Sequence, residues 1–145
     1  MRTDSDCIFC KIIAGEIPCI SLWEDQETLA FMDINPANPG HALVIPKQHW
    51  QDVYTIPDEA IGAVAATARR IATAVRTALT PDGINLVQAN GPGAAQSVFH
   101  FHMHVLPRYS GDELKLNWRL KLGDMDQLKP ISERIKAVLA GVEVV

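Results

Sequence analysis

Between Val98 and Pro107 the chain reads Val-Phe-His-Phe-His-Met-His-Val-Leu-Pro, with His100, His102 and His104 at alternate positions. Successive side chains of a strand point to opposite faces. The run therefore predicts a strand over Phe99 to Leu106, with three imidazoles on one face and Phe99, Phe101, Met103 and Val105 on the other. The apolar face must be buried. The other carries groups that exchange protons, attack phosphorus or bind metal near neutral pH. Packing alone gives no reason for three imidazoles side by side, so the row is read as a site.

The remaining elements follow from period and punctuation. A short helical turn or two is expected from Cys7 to Ala14, ended by Gly15. Strands are expected over Ile20 to Trp23, Thr28 to Ile34, His41 to Ile45 and Ile84 to Asn90. The prolines of Asn35-Pro36-Ala37-Asn38-Pro39-Gly40 make that segment a loop. A long helix runs from Pro57 to Leu79, with Thr55 as cap and Asp58 completing a box-like arrangement. Its apolar stripe is Ile61, Val64, Ala65, Ala68, Ile71, Ala72, Val75 and Leu79. The small, flexible loop Asn90 to Ser97 brings backbone close to whatever the histidines face. A final helix is expected from Asp126 to Leu139. Hairpin-like strands with helices on one side make an α+β domain, single over residues 1–145.

Composition excludes several classes. With 48% hydrophobic and 21% charged residues the chain reads as globular. Its net charge of −4 with scattered basic residues argues against a nucleic-acid groove or an anionic membrane surface. No apolar run approaches membrane-spanning length, and the start lacks the features of a signal peptide, so a cytoplasmic location is expected. Three cysteines are an odd number and no disulfide framework, which points to reduced thiols.

The motifs together resemble the histidine-triad (HIT) family of nucleotide-binding proteins, bacterial type. His100-Phe101-His102-Met103-His104-Val105-Leu106 matches its signature. Cys7 to Ile13, Phe31 to Pro36, Pro39 to Lys47, and Asn90-Gly91 through Gln96-Ser97 match in order and spacing. The resemblance covers roughly residues 5 to 109. The departure is Ala95, where the family usually has glycine. The resemblance implies a HIT-like fold: a five-stranded antiparallel sheet with a long central helix and a C-terminal helix. It implies a hydrolase or transferase acting on the α-phosphate of purine nucleotide conjugates, such as phosphoramidates, dinucleoside polyphosphates or acyl-adenylates. His102 would attack phosphorus and form a nucleotidyl-histidine that water resolves. His102 would be held in one tautomer by a backbone carbonyl of a neighbouring strand or by His100. His104 would face the phosphoryl oxygens, with Gln96 and Ser97 as donors there or to the leaving group. Ile8, Phe9, Ile12, Phe31 and Ile34 would wall the purine slot, Asp33 would accept from the ribose hydroxyls, and Asn90 would contact the ribose-phosphate region. Arg108 is a candidate for a distal phosphate, weighed against solvent. Family members resembling this chain are two-fold dimers, which implies a homodimer through the long helix and the neighbouring strand.

Cys7-x-x-Cys10 by itself fits a redox pair, half of a zinc site or coincidence. Zinc needs two more ligands, for which His49 and His100 are the candidates, and bacterial members resembling this chain use such a Cys2His2 set. Cys19 has no evident partner, and His41 reads as a strand residue making hydrogen bonds. Two other readings compete. One is a zinc-stabilised nucleotide-binding regulator with negligible turnover. The other, a three-histidine catalytic metal site, is weakened because alternate positions on one strand span too far to converge on one ion.

Overall fold

A computed structural model describes residues 1–141; the last four positions of the expected domain lie outside it. The chain forms two compact units, Met1–Glu113 and the residues from Leu114 onward. Five strands make one sheet: β1 (Ser21–Glu24), β2 (Thr28–Met32), β3 (Ala42–Pro46), β4 (Gly83–Gln88) and β5 (Met103–Arg108), in the order β1-β2-β3-β5-β4. Every neighbouring pair is antiparallel. The helices are α1 (Ile8–Ile13), α2 (Asp58–Leu79) and, in the second unit, α3 (Met125–Ala140). This is the α+β architecture expected. Among the described residues no helix is long and apolar enough to cross a membrane.

The alternation of side chains sorts the sheet into two faces, and both are covered. Ala30, Ala42, Val44 and Val105 pack with Val64, Ala68 and Ile71 of α2. Leu29, Phe31, Leu43 and Ile45 pack with Cys7, Phe9 and Cys10 on the α1 side. The expectation of helices on one side is therefore corrected, because β2 from Leu29 onward and all of β3 are apolar and need cover on both faces. The stripe of α2 also differs at its edges. Thr67 is buried, its hydroxyl 2.8 Å from that of Thr28, while Ala65 and Leu79 are exposed. Pro57, not Thr55, holds the cap position of α2. The Thr55 hydroxyl bonds to Asp52 instead, closing the turn before the helix.

The triad segment meets the sheet later than its sequence pattern suggests. β5 begins at Met103, and its pairing with β3 covers only Ala42–Val105, Leu43–His104 and Val44–Met103. The ladder stops before Pro46, which has no N–H to donate. Residues 98–100 bend instead of pairing, and tertiary bonds hold the segment: the Phe101 amide donates to the Trp50 carbonyl at 2.6 Å. Phe101 is fully buried, whereas Phe99, expected on the same buried face, is half exposed.

Candidate functional site

Parity places His100, His102 and His104 on the α1 face, opposite α2. There they join His41 and His49, so that all five histidines of the chain stand in one connected row. Ring centroids are 5.0 Å apart for His49 and His100, 5.0 Å for His102 and His104, and 5.1 Å for His104 and His41. The fully buried His100 links the two halves, because its backbone carbonyl lies 2.8 Å from His102 Nδ1.

At one end Cys7, Cys10, His49 and His100 converge. α1 sets this up: Cys7 is its N-cap and Cys10 lies one turn on, with the Cys10 amide donating to Cys7 Sγ. His100 donates from Nε2 to the Pro46 carbonyl at 2.8 Å, which leaves the Nδ1 lone pair facing the thiols. Nδ1 lies 3.4 Å from Cys7 Sγ, 3.6 Å from Cys10 Sγ and 3.2 Å from His49 Nδ1, and His49 Nδ1 lies 3.4 Å from Cys10 Sγ. A tetrahedral zinc bound at about 2.3 Å to sulfur and about 2.0–2.1 Å to nitrogen holds its ligand atoms roughly 3.3–3.8 Å apart. The donor set fits that ion in type, number and spacing.

At the other end the hydrogen bonds assign tautomers. His102 Nδ1 faces a carbonyl and so carries the proton, leaving the Nε2 lone pair free. This settles the partner left open by the sequence: it is the carbonyl of His100. The Ala37 amide donates to His41 Nδ1 at 3.0 Å, so the proton of His41 sits on Nε2. His41 Nε2 is 2.8 Å from His104 Nδ1, which must accept, and the proton of His104 therefore sits on Nε2. Asp33 Oδ2 approaches His41 Nε2 at 3.5 Å, and its Oδ1 accepts from the Asn35 amide. Asp33, His41 and His104 are close enough to suggest a second metal site. The Ala37 bond argues against it, since His41 would have to bind as an imidazolate. Burial pushes His104 down to about 4, with the neighbouring His102 and His41 adding to the shift. Burial also lowers His41 and His102, partly opposed at His102 by the His100 carbonyl and Asp33. All three are neutral imidazoles near neutral pH.

These groups open onto a cavity of about 320 Å³. Phe9, Ile12, Phe31 and Leu43 form apolar walls, with Ile8 and Ile34 toward solvent and Asp33, Ser97, His102 and His104 at one side. The edge of the Phe9 ring meets His102 at 5.3 Å between centroids. Every apolar residue singled out from the sequence thus lines one cavity. Cys19, which had no evident partner, lines it too, as do Ile17 and Val98. Two expected members do not reach its wall. Gln96 is buried within its own loop, accepting from the Gly91 amide and donating to the carbonyls of Gln51 and Val98. The Asn90 side chain bonds Gln88 and the Val53 amide. Both hold the shape of the loop. Arg108 is likewise engaged, with both Asp112 oxygens at 2.8 Å and with Asn85.

An antiparallel five-stranded sheet with a row of imidazoles beside an apolar cavity is the arrangement seen in HIT family structures. The chain belongs to the HIT family: the HIT domain matches residues 14–111. It is 43% identical over 143 residues to "Protein hit" of Bacillus subtilis, covering 97% of this chain and 99% of that one. It is 40% identical to the adenosine 5'-monophosphoramidase HNT1 of Saccharomyces cerevisiae (95% and 85% covered). To the adenylylsulfatase HINT3 of Arabidopsis thaliana it is 37% identical (92% and 68% covered). A crystal structure of a HIT family protein from Bacillus anthracis superposes with a TM-score of 0.87 at 38% identity, covering 97% of this chain and all of that one. A zinc-bound histidine triad protein from Mycobacterium smegmatis gives 0.72 at 38% identity (95% and 98% covered).

Proposed function

We propose that this protein is a nucleotidyl hydrolase or transferase that acts on the α-phosphate of purine nucleotide conjugates through a nucleotidyl-histidine on His102. The observation that carries this reading is the bond from His102 Nδ1 to the His100 carbonyl, which leaves Nε2 as a fixed, neutral nucleophile at the cavity wall. The names of two relatives, a phosphoramidase and an adenylylsulfatase, support it, since both act on an adenylyl group. The purine occupies the slot of Phe9, Ile12 and Phe31, and Asp33 accepts from the ribose. His104 Nε2–H and the Ser97 hydroxyl donate to the phosphoryl oxygens, while Gln96 and Asn90 hold the loop that carries Ser97. Zinc held by Cys7, Cys10, His49 and His100 would be structural: it would fix His100, and with it the carbonyl that orients His102.

The test is single-turnover mixing with an adenylyl conjugate, read by intact mass. Wild type should show a transient adduct of one adenylyl group. His102→Asn should show none, with turnover below a few per cent of wild type and nucleotide affinity within a few-fold. Tight binding without an adduct in wild type would instead identify a nucleotide-binding regulator.

A further inference from the structure

Residues 107–112, at the end of β5 and just beyond it, grip the loop 35–40 through Asn38, Pro39 and Gly40. Asn38 Nδ2 donates to the Pro107 carbonyl and to Asp112 Oδ2, each at 2.9 Å. The Tyr109 hydroxyl donates to the Pro39 carbonyl at 2.8 Å. Gly40, at φ +89°, passes so close that a Cβ there would lie 2.5 Å from the Leu79 side chain and 3.1 Å from that of Pro107. Asp112 is the anchor. Its side chain is 7% exposed, accepts from Arg108 Nε and Nη2 at 2.8 Å and from the Tyr109 amide at 3.1 Å, and so is fixed independently of the loop. The loop needs such an anchor, because Asn35, Pro36, Ala37 and Pro39 are exposed and bring little packing of their own.

What the loop delivers is one amide. The His41 amide donates to the Asn38 carbonyl at 3.1 Å and closes the turn, and within it the Ala37 amide reaches His41 Nδ1 at 3.0 Å. That bond forbids a proton on Nδ1 and so sets the direction of the 2.8 Å bond between His41 Nε2 and His104 Nδ1. Without it the pair is free to reverse. A proton on His41 Nδ1 would make its Nε2 the acceptor and move the His104 proton to Nδ1. Asp33 Oδ2, 3.5 Å from His41 Nε2, is too far to fix the direction by a full hydrogen bond. We propose that Asp112 and Asn38 are positioning residues: they hold the loop so that the Ala37 amide fixes the tautomers of His41 and His104. The consequence for rate rests on the proposed role of His104 as a donor; the tautomers themselves do not.

Two-bond proton–nitrogen correlation spectra of nitrogen-15-labelled protein near neutral pH tell a protonated ring nitrogen from a bare one at each histidine. Wild type should show His41 and His104 each as one tautomer, with the proton on Nε2. Asn38→Ala, which leaves the Arg108–Asp112 pair in place, should mix the tautomers of both while His102 keeps its proton on Nδ1. Asp112→Ala should do the same. With an adenylyl conjugate, kcat of Asn38→Ala should fall about tenfold and KM should stay within about twofold. Unmixed tautomers in an Asn38→Ala protein whose melting curve shows it folded would overturn the proposal. So would a proton on Nδ1 of wild-type His41, or mixed tautomers with an unchanged kcat. Failure of Asn38→Ala to fold would also overturn it, by making the clamp a part of the fold alone. If wild type lacks turnover, the catalytic reading fails, and the tautomers still decide for or against the clamp.

Discussion

His102 and Ala95 show how differently single residues can be constrained. His102 is held by one hydrogen bond and by burial, and its neighbours decide which nitrogen is free. Ala95 is held in the left-handed region, at φ +62°, at the end of the 3-10 turn Pro92–Ala94. That conformation costs a residue with a Cβ about 1–2 kcal/mol. Glycine adopts it freely but loses more backbone entropy on folding. Ala95→Gly is expected to raise stability by about 0.5–1 kcal/mol, read as a higher urea midpoint with an unchanged slope. The loop braces formed by Gln96 should leave nucleotide affinity within about twofold.

At the scale of elements, the hairpin between β1 and β2 is pinned by one carboxylate. Partial burial would raise Asp25, but bonds from the Trp23 indole, the Glu27 and Thr28 amides and the Thr28 hydroxyl outweigh it and hold Asp25 down at about 2. A carboxylate lowered on folding contributes stability that is complete above its ordinary range and lost as pH falls toward the folded value. Asp25→Asn should therefore be less stable than wild type at pH 7. The gap should narrow between about pH 4 and pH 2, as thermal melts across that range would show. A zinc at the four converging ligands would hold α1 in a similar way. The helix has six residues, too few to persist alone; Cys10 lies within it and Cys7 caps it. About one zinc per chain is expected by elemental analysis. Cys10→Ala should lose the zinc and several degrees of melting temperature together; a metal-free wild type of equal stability would reject the site.

At the scale of the molecule, β4 is an edge strand whose Leu86 is 50% exposed, beside an α2 that ends in a 43% exposed Leu79. A groove of about 330 Å³ runs between them, with Ala72, Ile84 and Leu86 on its walls and Arg69, Arg76 and Asp82 among its polar lining. An unpaired edge and apolar side chains on one surface favour a second copy related by a two-fold axis. Light scattering at low micromolar concentration should give about twice the 15.9 kDa mass of the chain. A monomer would leave this face to solvent and reject the pairing.

The sequence by itself determined most of the strand pattern, the long helix and the apolar residues that line the cavity, because alternation and helical period are local properties that backbone geometry enforces. It also marked His100, His102 and His104, since packing alone gives little reason for three imidazoles at alternate positions. What it could not carry was how residues far apart in the chain use one another. His41 looked like a strand residue, and its partner His104 lies 63 positions away. The signal present in the sequence was a histidine at the start of an otherwise apolar strand. Gln96 and Asn90 looked like ligand donors, yet their amides were already committed to carbonyls and amides that only the folded loop brings near. The tautomers of His41, His102 and His104 were decided in the same way. A proton's place on an imidazole depends on which acceptor or donor faces each nitrogen, and those partners exist only once the strands have packed.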